Sequence, residues 1–340
     1  MSKLLSVCIP SYNMEQYLRR CVDSLLIPSF DKLEVLIVND GSKDDTLAIA
    51  KEYAQKYPAS IVVIDKANGH YGSTVNAALK VATGKYFRIL DADDWFNTDA
   101  LEALIQKLES CETDCVFTNF VIHDDNKKQV IPLQDKQMRY NTVHHLYEEP
   151  LRNIGLNMHQ LTYSLQFLKA IHYVQTEGVC YTDTEYIFYP LSQAHSFIAY
   201  DLYLYQYYLG REDQSMSLSS LKKNISHRWP IIYRMIGDES YKSGNLLAAD
   251  VRSSILQSLI GSVYEMYICY SDYEYEYDQK LRGFLEEIKS NEPDIYRKLL
   301  RLNRHEVIFY VRFWIWFKRF SFPLCHFLFL IREGFNKWRK

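Results

Sequence analysis

No Cys-x-x-Cys pair occurs in the sequence, and its seven cysteines (Cys8, Cys21, Cys111, Cys115, Cys180, Cys269 and Cys325) are odd in number and scattered. That pattern argues against a disulfide framework or a zinc ribbon and fits a reducing, cytosolic compartment. Cys111 and Cys115 have helical spacing, but no two further zinc ligands stand near them in the sequence. Excess charge of one sign is missing too. The net charge is −3 with 24% charged residues, which excludes the strongly basic domain of a nucleic-acid binder. The apolar run in MSKLLSVCIPSYN stops at Pro10, too short for the core of a signal peptide, so it reads as a first strand. No internal repeat is visible.

What is present is length and aromatic surface. The 340 residues suffice for one α/β domain of about 200 to 250 residues and an appended helical part. With 28 tyrosines and 17 phenylalanines, aromatic rings must line surfaces or pockets as well as a core. Apolar runs at Leu4–Ile9, Leu33–Val38, Ile61–Ile64 and Tyr86–Leu90 predict buried strands. Helical spacing over Glu15–Leu26, from Asp45 or Thr46 to Tyr57, and over Gly72–Val81 predicts the helices between them. Strands alternating with helices imply a doubly wound, mostly parallel sheet whose ligands sit beyond the carboxyl ends of the strands. Three polar clusters fall there: Pro10-Ser11-Tyr12-Asn13, Asn39-Asp40-Gly41-Ser42 and Asp91-Ala92-Asp93-Asp94. Further on, a strand is expected at Cys115–Val121, a hairpin around His123–Gln129 and irregular chain to about Glu149. A predominantly helical region follows from Leu221.

The acidic turn carries two carboxylates one residue apart directly after a buried strand, a compact oxygen site for a hard divalent ion. A helix-start turn or plain solvated acidity are the alternatives that these residues leave open. The segment Asn68–Asn76 is rich in glycine and hydroxyl groups and opens a helix, as a phosphate-cradling loop does, without the GxxxxGK[ST] order.

The segments VCIPSYN, VNDGSKDDT, NGHYGSTVNAAL, ATGKYFRILDADDWF and EGVCYTDTEYIFYP occur in an order and spacing that resemble family 2 glycosyltransferases. The likeness runs from residue 3 to about 215, towards members that build capsule, exopolysaccharide and teichoic acid. The resemblance implies a GT-A fold, inversion at the anomeric carbon, a nucleotide diphosphate sugar donor, usually a UDP-sugar, and Mn²⁺ or Mg²⁺ as cofactor. Carried onto this chain, Pro10, Tyr12, Asn13, Asp40, Gly41, Asn76, Asp91 and Arg211 are expected on the nucleotide sugar, with Tyr12 packing on the base. Asp40 would accept the uracil N3–H, which suits an ionised carboxylate. Asp91 and Asp93 form the expected DxD metal pair, and Asp94 either contacts ligand or holds the loop. Asp183 is the expected base, ionised at neutral pH and able to take a proton from an acceptor hydroxyl. His159 is expected on the acceptor side. The chain departs from the family in having Val75 where an arginine is usual and Thr182 where glutamate is frequent. The stretch Tyr205–Ser215 resembles the loop that closes the donor site.

These expectations divide the chain into a GT-A domain (1–215), a helical region (216–296) and a basic aromatic tail (297–340). On a helix of about 100° per residue, Arg297, Lys298, Arg301, Arg304, His305, Arg312 and Arg319 form one stripe with Trp and Phe residues off it. Arg312, Lys318, Arg319 and Pro323 break up the apolar sequence below the roughly 20 residues that a span needs. The tail is therefore expected at the inner face of a plasma membrane, beside a saccharide or lipid-linked acceptor. Docking of this helix onto protein is the alternative. A catalytically inactive nucleotide-sugar-binding scaffold and a sugar nucleotidyltransferase are the competing functional classes, and VCIPSYN is not the glycine-rich basic loop expected of the latter.

Overall fold

The computed structural model describes residues 3–136, 138–149, 156–210, 214, 217–272, 274–301, 314, 322 and 326–331. The chain forms two compact units, one of residues 1–211 with 239–249 and one of 212–238 with 250–340. The first begins β1 (Leu5–Ser11), α1 (Leu18–Asp23), β2 (Leu33–Asn39), α2 (Thr46–Lys56), β3 (Ile61–Asp65), α3 (His70–Val81), β4 (Tyr86–Ile89), β5 (Trp95–Phe96) and α4 (Thr98–Ser110). It continues with β6 (Cys115–Asp124), β7 (Gln129–Leu133), β8 (Val143–His145), β9 (Leu161–Ser164), α5 (Leu165–Ala170), α6 (Asp183–Gln193) and β10 (Ser196–Leu209).

The ten strands make one sheet in the order β3-β2-β1-β4-β9-β6-β10-β5, with β7 on β6 and β8 on β10. β3, β2, β1 and β4 are mutually parallel, as are β6 and β10. β9 runs antiparallel between β4 and β6, so the sheet is a mixed α/β sheet. β1 and β2 are nearly continuous apolar runs because both of their faces are covered. The acid that interrupts β2, Glu34, is buried and accepts hydrogen bonds from Ser6 Oγ, Thr83 N (2.8 Å) and Thr83 Oγ1 (2.7 Å). A buried carboxylate so satisfied ties the amino ends of β1, β2 and β4 together. In α4, Asn97 caps the first turn by accepting from Ala100 N, and Leu101, Leu104, Ile105 and Leu108 bury one face.

Three differences from the sequence expectations have local causes. α1 is shorter than Glu15–Leu26, because Met14 N and Glu15 N are drawn to Thr46 Oγ1, at the start of α2, and to Asp44 Oδ2 just before it. The stretch expected to be irregular holds β7 and β8; β7 is exposed and contains Pro132, so it shows no buried alternation. Tyr205–Leu209 belong to β10, paired in register with β6, rather than to a loop.

The second unit holds α7 (Leu218–Lys223), α8 (Arg228–Gly237), most of α9 (Ala248–Glu265), α10 (Tyr275–Asn291) and α11 (Pro293–Arg301). Arg252 is buried, paired with Glu292 at 2.6 Å and donating to Met235 O, so one guanidinium links α8, α9 and the end of α10. Trp314 is also buried here, its ring nitrogen donating to Asp278 Oδ1 at 2.9 Å. Phe322 packs on Tyr267 and Phe329 on Tyr270. At these three positions tail aromatics are docked on protein. Arg304, His305, Arg312, Arg319 and Trp316 lie outside the described residues.

Candidate active site

The first two polar loops are stitched together at the carboxyl edge of the sheet. Asn13, at φ 55°, receives Lys43 N on its Oδ1 (2.8 Å) and donates its own N–H to Ser42 Oγ (3.0 Å). Gly41, at φ 72°, makes the turn after β2, a conformation that costs glycine little, and a Cβ there would press on Asn68 N at 3.1 Å. Pro10 pairs in β1, and Tyr12 projects with 45% of its surface exposed, so it is not a core aromatic. Asp40 is buried. Its Oδ1 accepts from Lys66 Nζ (2.6 Å) and Gly69 N (2.9 Å), which leaves Oδ2 as the oxygen suited to a further donor.

The acidic turn follows β4. Asp91 accepts the Tyr71 hydroxyl proton on Oδ1 (2.7 Å), and its N–H donates to Tyr205 Oη (3.1 Å). Arg20 braces the turn by donating to Asp93 O (2.6 Å) while lying over Trp95 and Tyr208. Asp91 and Asp93 are half-buried. Asp94 is fully buried and accepts from Tyr205 Oη (2.6 Å) and Tyr208 N (2.7 Å), so it fastens the turn to β10. Burial, with Asp93 and Asp91 nearby, pushes its carboxyl well above the usual range.

Helix α3 meets the loop before α6 so closely that a Cβ on Gly72 would stand 2.1 Å from Thr176 O. Asn76 is used here. It donates to Gln175 O and Glu177 Oε1 (both 2.9 Å) and accepts Gln175 N (2.8 Å). It was expected on the donor; in the structure both of its amide N–H groups and one lone pair of its oxygen are given to this loop. Thr182, in place of the frequent glutamate, is buried and donates to Gln175 Oε1 (2.9 Å). Glu185 is buried as well, accepting from Thr176 N and Oγ1. Asp183, by contrast, opens α6 half-buried. Burial raises the Tyr71 hydroxyl well above the usual tyrosine range, and Asp91 and Asp183 both add to it. Burial raises Tyr207 likewise, with Asp94, Asp91, Asp93 and Asp183 contributing. Carboxylates from the turn after β4 and from α6 thus act electrostatically on the same two tyrosines. Arg211 lies outside the described residues.

His159 stands beside this group. Its ring stacks on Tyr207 (4.5 Å) and meets Tyr205 (4.6 Å). One ligand atom from each of Asp91, Asp94 and His159 lies within 4.8 Å of the others, a set of hard oxygens and one imidazole that fits a divalent cation. Sequence reasoning missed Arg88, fully buried in β4 beneath it. Arg88 donates to Thr162 Oγ1 (2.7 Å) and to His159 O. Burial lowers its guanidinium to about 10, so it stays cationic at neutral pH. Burial and the Arg88 charge push His159 down to about 3, holding the imidazole neutral. Tyr71 was legible only as part of NGHYGSTVNAAL; its contact to Asp91 was not. A separate cavity of about 650 Å³ is lined by Asn76, Lys80, Lys169, His172 and Glu177, not by these carboxylates.

A mixed α/β sheet carrying these loops at its carboxyl edge, with a helical region behind it in sequence, has the GT-A class of glycosyltransferase fold. TarS of S. aureus in complex with UDP-GlcNAc superposes with a TM-score of 0.60 at 18% identity, covering 86% of this chain and 82% of that one. Residues 6–171 match the family described as Glycosyl transferase family 2. The uncharacterized glycosyltransferase EpsJ of Bacillus subtilis is 32% identical over 149 residues, 44% of this chain and 43% of EpsJ. Chondroitin synthase of Pasteurella multocida is 40% identical over 116 residues, 34% of this chain and 12% of that protein. The chain thus matches less than half the length of these two curated relatives.

Proposed function

We propose that the protein transfers a sugar, with inversion, from a nucleotide diphosphate sugar to a saccharide or lipid-linked acceptor in cell-surface polysaccharide synthesis. The observation that carries this reading is that Tyr71, which donates to Asp91, and Tyr207 both feel the charges of Asp91 and Asp183, carboxylates from two distant segments. Tyr12 stacks on the base and Asp40 Oδ2 accepts its N–H, which favours uracil, the base whose nucleotide accompanies TarS. Asp91 and Asp93 hold Mn²⁺ or Mg²⁺ together with the diphosphate. The ion, when bound, offsets the negative charge that develops on the departing nucleoside diphosphate. Asp183 takes the proton from the acceptor hydroxyl as that oxygen attacks the anomeric carbon from the face opposite the leaving group. Glu185 is buried and both of its oxygens accept from Thr176, which makes it the poorer candidate for the base.

Residues 297–340 hold the enzyme at the inner face of a membrane. Phe327, Leu330 and Ile331 support this, since they are exposed at positions i, i+3 and i+4 of one helical turn. No helix among the described residues is long and apolar enough to cross a bilayer.

The test is release of UDP from a panel of UDP-sugars with Mn²⁺, for the parent chain and Asp183→Asn. Asn keeps the shape without the basicity, so turnover should fall at least a hundredfold while UDP affinity stays within about threefold. Normal turnover in Asp183→Asn would remove the base assignment. UDP binding without turnover of any donor by the parent would favour a nucleotide-binding scaffold.

A further inference from the structure

Among the described cysteines Cys8, Cys21, Cys111, Cys115 and Cys269 are buried, and Cys180 alone is partly exposed. It also has a basic neighbour. Its Sγ stands 3.7 Å from Nδ1 of His70, a histidine that is itself partly exposed at the first turn of α3. A thiol within hydrogen-bond reach of an imidazole is the arrangement that makes cysteine a nucleophile, because the ring takes the proton and the resulting cation holds the thiolate. Burial does the opposite elsewhere. It raises the thiols of Cys8, Cys21 and Cys115 well above the usual range and leaves them inert. The pair also lies between two parts of the candidate site. His70 precedes Tyr71, which holds Asp91, and Cys180 precedes Asp183 on the loop before α6. That loop is joined to the entrance of α3 by Gly178 N, which donates to Gly69 O at 2.9 Å. A Cβ on Gly178 would meet nothing within 4 Å, so open space borders the loop there.

We propose that Cys180, paired with His70, is a modification site that exchanges with low-molecular-weight disulfides, and that the mixed disulfide switches transfer off. The switch rests on the reading of Asp183 as the base, whereas the reactivity of the thiol does not. In the exchange Cys180 passes its proton to His70, and the thiolate attacks one sulfur of the incoming disulfide. A new S–S bond forms as the old one breaks, and the departing thiolate takes up the proton. Cys180–SH and RS–SR thus give Cys180–S–SR and RSH, which excess thiol reverses. The adduct adds bulk where the loop meets α3 and displaces the segment that leads into Asp183. A shift near 1 Å at a reacting group lowers turnover by about a hundredfold.

The experiment treats the full chain with oxidised glutathione, maps the adducts by peptide mass spectrometry, and follows UDP release from a UDP-sugar with Mn²⁺ before treatment, after it and after dithiothreitol. Cys180 should be modified about tenfold or more faster than each buried cysteine. Turnover should fall in step with that adduct and return on reduction. Cys180→Ser should keep turnover within about twofold and lose the sensitivity, since the transfer uses no thiol. His70→Asn, which suits the backbone φ of 63° at this position, should slow the modification of Cys180 by about fivefold or more. Unfolding the parent in urea should do the same while the buried cysteines speed up, so the comparison stands even if the variant folds poorly. Cys180 that reacts no faster in the folded chain than in urea would overturn the site. Full turnover with Cys180 modified would overturn the switch. A parent chain that turns over no donor would overturn the transferase reading and the switch with it, and the adduct map would still decide whether Cys180 and His70 form a reactive pair.

Discussion

Gly72→Ala tests whether the contact between α3 and the loop before α6 sets the position of Asp183. The added Cβ would lie 2.1 Å from Thr176 O, 3.0 Å from its carbonyl carbon and 3.1 Å from Gln175 Cβ. Ordinary C···O contact begins at about 3.3 Å, so the loop must retreat by about 1 Å. Its attachments resist: Gln175 and Asn76 exchange hydrogen bonds of 2.8 and 2.9 Å, and Gly178 N donates to Gly69 O at 2.9 Å. Alanine in a helix gains about 1 kcal/mol over glycine. Overpacking costs roughly 1–3 kcal/mol, and each loosened hydrogen bond about 1 kcal/mol. The net expectation is a loss of about 2 kcal/mol in urea unfolding. Thr176 is bonded to Glu185, two residues beyond Asp183 on α6, so the shift is handed to the base. A displacement near 1 Å at a reacting group lowers turnover by about a hundredfold, whereas the Cβ clash falls on the loop at Gln175 and Thr176 and not on Asp40, so UDP affinity should fall much less, by about threefold at most. Stability and turnover both within twofold of the parent would refute the argument.

Two further outcomes are expected. Asp40→Asn should weaken UDP more than other nucleoside diphosphates, by about tenfold, because the amide keeps the shape but loses the charge on the acceptor oxygen; isothermal titration showing equal weakening for all nucleotides would reduce Asp40 to a brace for Lys66 and Gly69. Removal of residues 297–340 also takes Trp314 and Phe329 out of a protein core, so the membrane test is better made with Phe327→Ser/Leu330→Ser/Ile331→Ser. This variant should sediment several-fold less with anionic liposomes at low salt and keep its melting temperature; unchanged sedimentation would remove this face from the membrane proposal.

The parallel core was legible because its signals are local. Buried strands such as β1 and β2 write themselves as apolar runs, and each ends in the polar cluster that the fold sets at the sheet edge. The motifs VNDGSKDDT and ILDADDWF likewise name Asp40, Asp91 and Asp93 without any coordinates. What the sequence could not carry is how residues far apart in the chain use up one another's bonding capacity. Asn76 looks like a donor ligand until Gln175, about a hundred positions away, occupies its amide. Asp94 and Asp93 are adjacent and chemically identical, yet the turn sends one inward to Tyr205 and leaves the other half-exposed. Arg88 reads as an ordinary residue of a strand, and only closure of β9 beside β4 buries it under His159. The chain's own order determined which residues reach the sheet edge. Tertiary packing decided which of them remain able to bind anything else, because a hydrogen-bonding group already satisfied inside the protein has little left to offer a ligand.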